Sequence, residues 1–336
     1  MSRAHKTHPE LVLGTANFGS ASDPITKTTT PERAAELLTI LYSSGSDTID
    51  TAQRYPPFAQ GTSEKLLGET FALLHKTTST TTSTTTPHHA VPSKSTIKLD
   101  TKVLSNPGDH TIPRINASIA SSLASLAPAK IHTIYAHAPD PDTPLSSPAS
   151  AFHDAVIAGH AAQWGISNYS LEQVRELLQI CDAHGWVRPA VYQGRYNAVA
   201  RGAEAELIPY LHGQGIAFYA FAPGASGTFG AASRLELQNA VGEAMRGAYG
   251  ADQVRVAVER VRSVVAEKGL GSAHEVVVRW VVWHSALDRK FGDKVIFGTG
   301  GPDQLRAMLE AVERGPLEPD VVEVVEQVWP EVSRKD

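Results

Sequence analysis

The chain has 336 residues, 42% of them hydrophobic, 19% charged and 7% aromatic, so it can bury a large core and is neither disordered nor fibrous in composition. A formal charge of −5 offers no basic footprint for gripping a phosphate backbone, which argues against a nucleic-acid partner. A lone cysteine, Cys181, cannot form an internal disulfide, and no segment reaches the ~18 uninterrupted apolar residues of a membrane span, so a soluble protein in a reducing cytoplasm is expected.

Short β-branched runs alternate with amphipathic stretches along the whole chain. LVLGT (11–15) leads into PERAAELLTILYSSG, DTIDTA (47–52) into TSEKLLGETFALLH, and STIKLDTKV (95–103) into IPRINASIASSLASL. At each junction the apolar period changes from two to about 3.6. KIHTIYAHA (130–138), AAQWGIS (161–167), RPAVYQG (188–194), GIAFYAFA (215–222) and DKVIFGTG (293–300) continue the pattern, each followed by helix-like sequence. Eight strands in strict βα order imply a parallel sheet and suit an α/β fold of the closed (β/α)8 TIM-barrel type. The doubly wound sheet is the main rival, but no strand leads into a GxGxxG turn.

Extra helices are expected over Ala251–Lys268 and His274–Leu287, between the seventh and eighth strands, and over Pro319–Val332 near the C-terminus. The rest reads as one barrel domain across 1–336. Residues 76–96, KTTSTTTSTTTPHHAVPSKST, are a low-complexity tract with too little apolar surface to offset the entropy of ordering, and read as a mobile surface insertion. His88 and His89 inside it have no further ligands at suitable spacing, so no metal is expected.

Barrel active sites gather at the C-terminal ends of the strands. The second strand ends in Asp50, with Tyr55 five residues later; the third ends in Lys102 and the fourth in His137. Singly, each has a bland reading: a strand-end cap, surface packing, a solvated lysine, a barrel histidine. Together they form a network. Reduction of a carbonyl by hydride needs an acid for the oxygen, and a phenol beside an ammonium, whose charge lowers the phenol's pKa, is a candidate. Asp50 would hold Lys102 protonated, and His137 would polarise the carbonyl. Lys98 shares the side-chain parity of Lys102 but would lie about 13 Å lower on the strand, at ~3.3 Å per residue.

LGTANFG (13–19), IDTAQRY, KLDTK, YAHAPD, GISNYS (165–170), VYQGRYNAVAR (191–201), FYAFAP (218–223) and RGPLEPDVV (314–322) together resemble the aldo-keto reductase superfamily, and within it the aflatoxin-aldehyde reductase branch, over nearly the whole chain. The resemblance implies reduction of a small aldehyde or ketone by NADPH, with NADH not excluded, a proton from Tyr55, and no metal. It makes Asp50, Tyr55, Lys102 and His137 the catalytic tetrad. Ser167, Asn168 and Gln193 would hydrogen-bond the nicotinamide carboxamide, and Phe221 would stack on its ring. The stretch that includes Ala222, Pro223, Gly224, Ser226 and Gly227 would cradle the pyrophosphate, and Gly300, Gly301 and Gln304 would meet the adenosine 2′-phosphate at a helix N-terminus. Phe18 and Tyr196 read first as packing residues, with substrate contact as the alternative.

The sequence departs from that branch in several places. The glycine stretch is short and lacks a lysine, Gly300 and Gly301 replace serines, and Met308 stands where an asparagine is expected, which leaves fewer fixed donors for a 2′-phosphate, with Arg234 and Arg246 as candidates to compensate. The final SRKD lacks the extended tail whose arginine binds acidic substrates in relatives. Two other functions stay open: a nicotinamide-sensing regulatory subunit without turnover, and an alcohol dehydrogenase working in the oxidative direction. Nothing in the sequence sets an oligomeric state.

Overall fold

A computed structural model describes residues 8–80, 96–127, 131–230, 235, 238 and 240–333. Eight parallel strands close into a (β/α)8 barrel in chain order. They are β1 Glu10–Gly14, β2 Thr48–Asp50, β3 Lys98–Val103, β4 Ile131–Ala136, β5 Ala161–Ser167, β6 Val191–Arg195, β7 Ala217–Phe221 and β8 Lys294–Phe297. The first six are followed by α1 Pro31–Ser43, α2 Thr62–Thr80, α3 Ile112–Leu126, α4 Ser146–Ile157, α5 Leu171–His184 and α6 Leu207–Gly213. Helices α7 Ala240–Tyr249, α8 Asp252–Glu267 and α9 Ala273–Trp283 separate β7 from β8, and α10 Pro302–Glu313, α11 Pro319–Glu326 and α12 Val328–Val332 follow it. The chain divides into two compact units, one holding Leu11–Gln193 with Gly298–Arg306, the other Gly194–Phe297 with the two end segments.

In the first unit, register sets the heights of the reactive side chains. Gly14 pairs with Asp50, Asp50 with Asp100, and Lys102 with Tyr135. Lys102 therefore stands two residues beyond the level of Asp50, and the chain after β2 folds toward it, the Gln53 N–H donating to the Lys102 carbonyl at 3.2 Å. Lys98 lies at the other end of β3, where it pairs with Asp47 at 3.1 Å. The surrounding helices start where their caps dictate. Thr30 accepts from the Arg33 N–H ahead of Pro31, and Ser170 and Gln173 form a reciprocal capping box on α5, which stops at Gly185 with φ 66°. Both helices bury one stripe, Ala34, Leu37, Leu38 and Leu41 on α1 and Val174, Leu177, Leu178 and Cys181 on α5, so Cys181 is a core residue.

The second unit has a core of its own around Tyr196, whose ring meets Phe218 edge-on at 6.1 Å and stacks with Trp280 at 6.4 Å. Its buried Asp293 accepts from the Phe218 and Asp288 N–H groups at 2.8 Å and pairs with His212.

Three expectations need correction. Helix α2 runs on to Thr80, into the threonine-rich tract expected to be a loop, because extending an existing helix is far easier than starting one. Residues 81–95, with His88 and His89, lie outside the described residues. Helix α7 was not anticipated, its pattern being diluted by Gly242 and Gly247. The single C-terminal helix is two: a restart at Val328 puts Pro330 in a first turn, where its missing N–H is harmless.

Helices α2 and α3 approach closely at Gly68, where an added Cβ would lie 2.1 Å from the Ser125 carbonyl oxygen. Gly68→Ala should therefore destabilise the chain by about 1–3 kcal/mol despite alanine's better helix propensity. Urea unfolding will show this as a lower midpoint at unchanged slope.

Candidate active site

Lys102 is completely buried, and its Nζ donates to both carboxylate oxygens of Asp50 at 2.7 Å and to the Thr51 carbonyl at 2.9 Å. Gln193 donates from Nε2 to Asp50 Oδ1 at 2.8 Å. The same ammonium lies 4.9 Å from the centre of the Tyr55 ring, and that ring meets His137 edge-on at 5.6 Å. The four groups expected on three strand ends are thus brought together, all within the first unit.

Their electrostatics differ from the expectation in one respect. Burial works against the Lys102 charge, but Asp50 and Tyr55 hold its amine above the ordinary lysine value. Burial also pushes the Asp50 carboxyl up, yet an ammonium 2.7 Å from both oxygens keeps the pair ionic. For Tyr55 burial outweighs the pull of Lys102, so the phenol sits above its usual range, not below it. Burial, Lys102 and the nearby Arg54 together push His137 down to about 3, leaving a neutral imidazole. The site thus combines a protonated phenol, a fixed cation and an uncharged hydrogen-bonding ring.

Ser167, the last residue of β5, is the register partner of Gln193 in the middle of β6. Asn168 follows in the left-handed region at φ 64°, which asparagine tolerates better than most residues, and its Nδ2 donates to the His137 carbonyl at 3.1 Å and to Ser167 Oγ at 2.9 Å. These three residues join the tetrad through Asp50 and His137.

The segment after β8 carries a feature the sequence reading missed. An added Cβ on Gly301 would lie 2.9 Å from Arg33 Nη2, so the glycine lets a guanidinium settle against the start of α10. Glu36 pairs with Arg33 at 2.9 Å and lies 4.0 Å from Arg306. The signal was available, since Arg33 puts a cation in the first turn of α1, against the helix dipole. Gln304 accepts from the Gly300 N–H through Oε1, and the Gly301 N–H donates to Thr299 Oγ1 at 3.2 Å. Asn17 was also overlooked; it donates to the Thr299 carbonyl at 2.6 Å, while its buried Oδ1 has no partner among the described residues. Met308 is buried in the core, and Arg234 lies outside the described residues.

In the second unit, Arg246 donates to the Leu235 carbonyl at 2.7 Å. Phe221 ends β7 half-buried, ahead of a tight turn in which Ala222, Ala225 and Ser226 have φ of 56°, 50° and 55°. The turn already engages the N–H groups of Ala225, Gly227, Thr228 and Gly230. Gly224 packs so closely on His274 that a Cβ would lie 2.1 Å from the imidazole. The stretch expected to cradle a pyrophosphate thus folds as a compact turn. For two aromatic residues the packing reading holds. Tyr196 is completely buried, its hydroxyl donating to Glu204 and accepting from the Ala286 N–H, and Phe18 is completely buried in its own unit, so neither has surface to offer a substrate. Among the described residues no group of three or more His, Cys, Asp or Glu could hold a metal, and no helix is long and apolar enough to cross a membrane.

The profile of the aldo/keto reductase family matches residues 10–330. Human aldo-keto reductase family 7 member A3 is 31% identical over 96% of this chain and 95% of its own length. The mouse aflatoxin B1 aldehyde reductase member 2 is 30% identical over 97% and 86%, and the oxidoreductase sirO of Leptosphaeria maculans 29% over 97% and 95%.

The neutral His137 has a consequence for stability. An unfolded imidazole titrates near 6.5 and the folded one near 3, so the unfolded chain binds the extra proton between those values. Stability is lost as pH falls through that window and is untouched by this group above it. Urea unfolding should reveal the loss between pH 7 and pH 5, and His137→Gln should reduce it; equal losses in both chains would contradict the assignment.

Proposed function

We propose, from the premise that the chain belongs to the aldo/keto reductase family, that it reduces an aldehyde or ketone to the alcohol with NADPH and draws the proton from Tyr55. Membership makes it a nicotinamide-dependent oxidoreductase acting on carbonyl compounds. The finer reading is carried by one observation: a buried ammonium, bonded to both oxygens of Asp50, placed under the ring of a protonated phenol.

The residues present fit the cofactor. Asn17 Oδ1 is a buried acceptor that still needs a donor, and the glycine at 301 leaves room for Arg33 where a side chain would intrude. Ser167, Asn168 and Gln193 would hold the carboxamide, and Gly300, Gly301 and Gln304, with Arg33, the 2′-phosphate. When bound, the reduced nicotinamide supplies a hydride to the carbonyl carbon. Tyr55 gives its proton to the carbonyl oxygen as negative charge develops there. Neutral His137 can donate a hydrogen bond to the same oxygen without adding charge. Lys102 stabilises the phenolate left behind, and Asp50 fixes the ammonium in place and keeps it charged. A phenol held above its usual range stays protonated near neutrality, so the proton that reduction consumes is in place before the carbonyl arrives. A guanidinium matches a phosphate monoester in shape and charge, which supports NADPH over NADH.

Tyr55→Phe should lower kcat with NADPH and a simple aldehyde by about 10²-fold or more while leaving NADPH binding intact. Loss of NADPH absorbance and quenching of tryptophan fluorescence measure the two; unchanged turnover contradicts the mechanism. Arg33→Ala should raise the Kd for NADPH about tenfold and leave that for NADH alone. Equal weakening of both would remove the 2′-phosphate role.

A further inference from the structure

The peptide group between His137 and Ala138 is held at both ends. Its carbonyl accepts from Asn168 Nδ2 at 3.1 Å, and its N–H donates to Ser105 Oγ at 3.1 Å. Ser105 lies three residues beyond Lys102, and its hydroxyl also meets Nε2 of His110 at 3.1 Å. His110 is buried, and its backbone N–H donates to Asp140 Oδ2 at 2.9 Å. Whichever way the hydrogen between Ser105 and His110 points, the serine oxygen keeps a lone pair for the Ala138 N–H.

A serine on a histidine invites comparison with a hydrolase nucleophile, but the arrangement argues otherwise. The Ser105 oxygen is already occupied by a peptide N–H. Asp140, the acid that would orient such a histidine, gives its oxygens to the N–H groups of Gly108, His110 and Asp142 and to the Thr143 hydroxyl, bonds that hold it down to about 2 against burial. These contacts describe a strut. With the 137–138 peptide plane fixed, few torsions remain between it and the imidazole, so the strut sets where His137 points. That direction is toward the Tyr55 ring, met edge-on at 5.6 Å.

We propose that Ser105, seated on His110, is a positioning residue for His137: it holds the adjoining peptide so that the imidazole faces the carbonyl oxygen. The proposal rests on the reading of His137 as the group that orients that oxygen.

A double-mutant cycle tests it, with NADPH and a simple aldehyde as substrates. Ser105→Ala is expected to lower kcat about tenfold, the scale of a small misalignment, with little change in the Kd for NADPH or in Tm. Ser105→Thr, which keeps the hydroxyl, should recover most of the rate. On a His137→Gln background, Ser105→Ala should cost less than about twofold, because the group it positions is gone. His110→Gln, which removes the seat but not the serine, should give a smaller loss that also vanishes on that background. If Ser105→Ala is as costly with His137→Gln as with the parent chain, or if it leaves kcat unchanged, the proposal is overturned. A His137→Gln enzyme of full activity would overturn it differently, by removing the role assigned to His137 itself.

Discussion

A positive charge sealed inside the chain organises the site. Lys102 has no exposed surface, so its ammonium gains nothing from water and depends on the two oxygens of Asp50 and the Thr51 carbonyl. Such a pair is expensive to desolvate, and well-packed apolar residues of similar volume often do as well for stability alone. Removing one partner is another matter: an orphaned buried charge typically costs about 3–5 kcal/mol. The contact with Thr51 anchors the turn that carries Tyr55, and Gln193 reaches Asp50 from β6. One carboxylate thereby ties together β2, β3 and β6. The barrel supplies strand ends at matched heights, and the ion pair turns that proximity into a defined geometry.

The sequence made most of this legible because the information is local. Alternating periods located the eight strands, and the end of each strand told which side chains stand at the reactive level, so Asp50, Lys102 and His137 could be named without coordinates. What escaped is long-range. Arg33 meets Gly301 only when two helix starts come together, and no pattern near either residue announces the other. The same holds for Ser105 and Ala138, which belong to different loops. For Tyr196 and Phe18 the sequence favours packing but leaves substrate contact open, because aromatic side chains near a site read alike whether they face in or out; burial places both in the core. The sign of the Tyr55 shift was misjudged for a related reason. A neighbouring charge can be inferred from strand order, whereas the amount of protein covering a hydroxyl cannot, and here the covering wins.

Not every local deviation in the chain serves the same end. The left-handed φ of Asn168 lets one amide reach both Ser167 and the His137 carbonyl. In the other unit the run of left-handed residues from Ala222 to Ser226 folds its N–H groups back into the turn. Strain of this kind persists only where the surroundings over-determine it. At Asn168 those surroundings are the site itself.

The amides beside the tetrad are also oriented, and their orientation is forced. Asp50 and the His137 carbonyl can only accept, so Gln193 and Asn168 must turn their NH2 groups toward them and leave their oxygens for a visitor. Ser167 accepts from Asn168 and keeps its own hydrogen to give. Two lone-pair oxygens and one hydroxyl hydrogen are the complement of a primary amide, which has hydrogens for the first and an oxygen for the last. An ionised acid in the same place would set oxygen against oxygen. On the proposed function, then, these side chains can tell an intact nicotinamide from its hydrolysed counterpart before any chemistry begins.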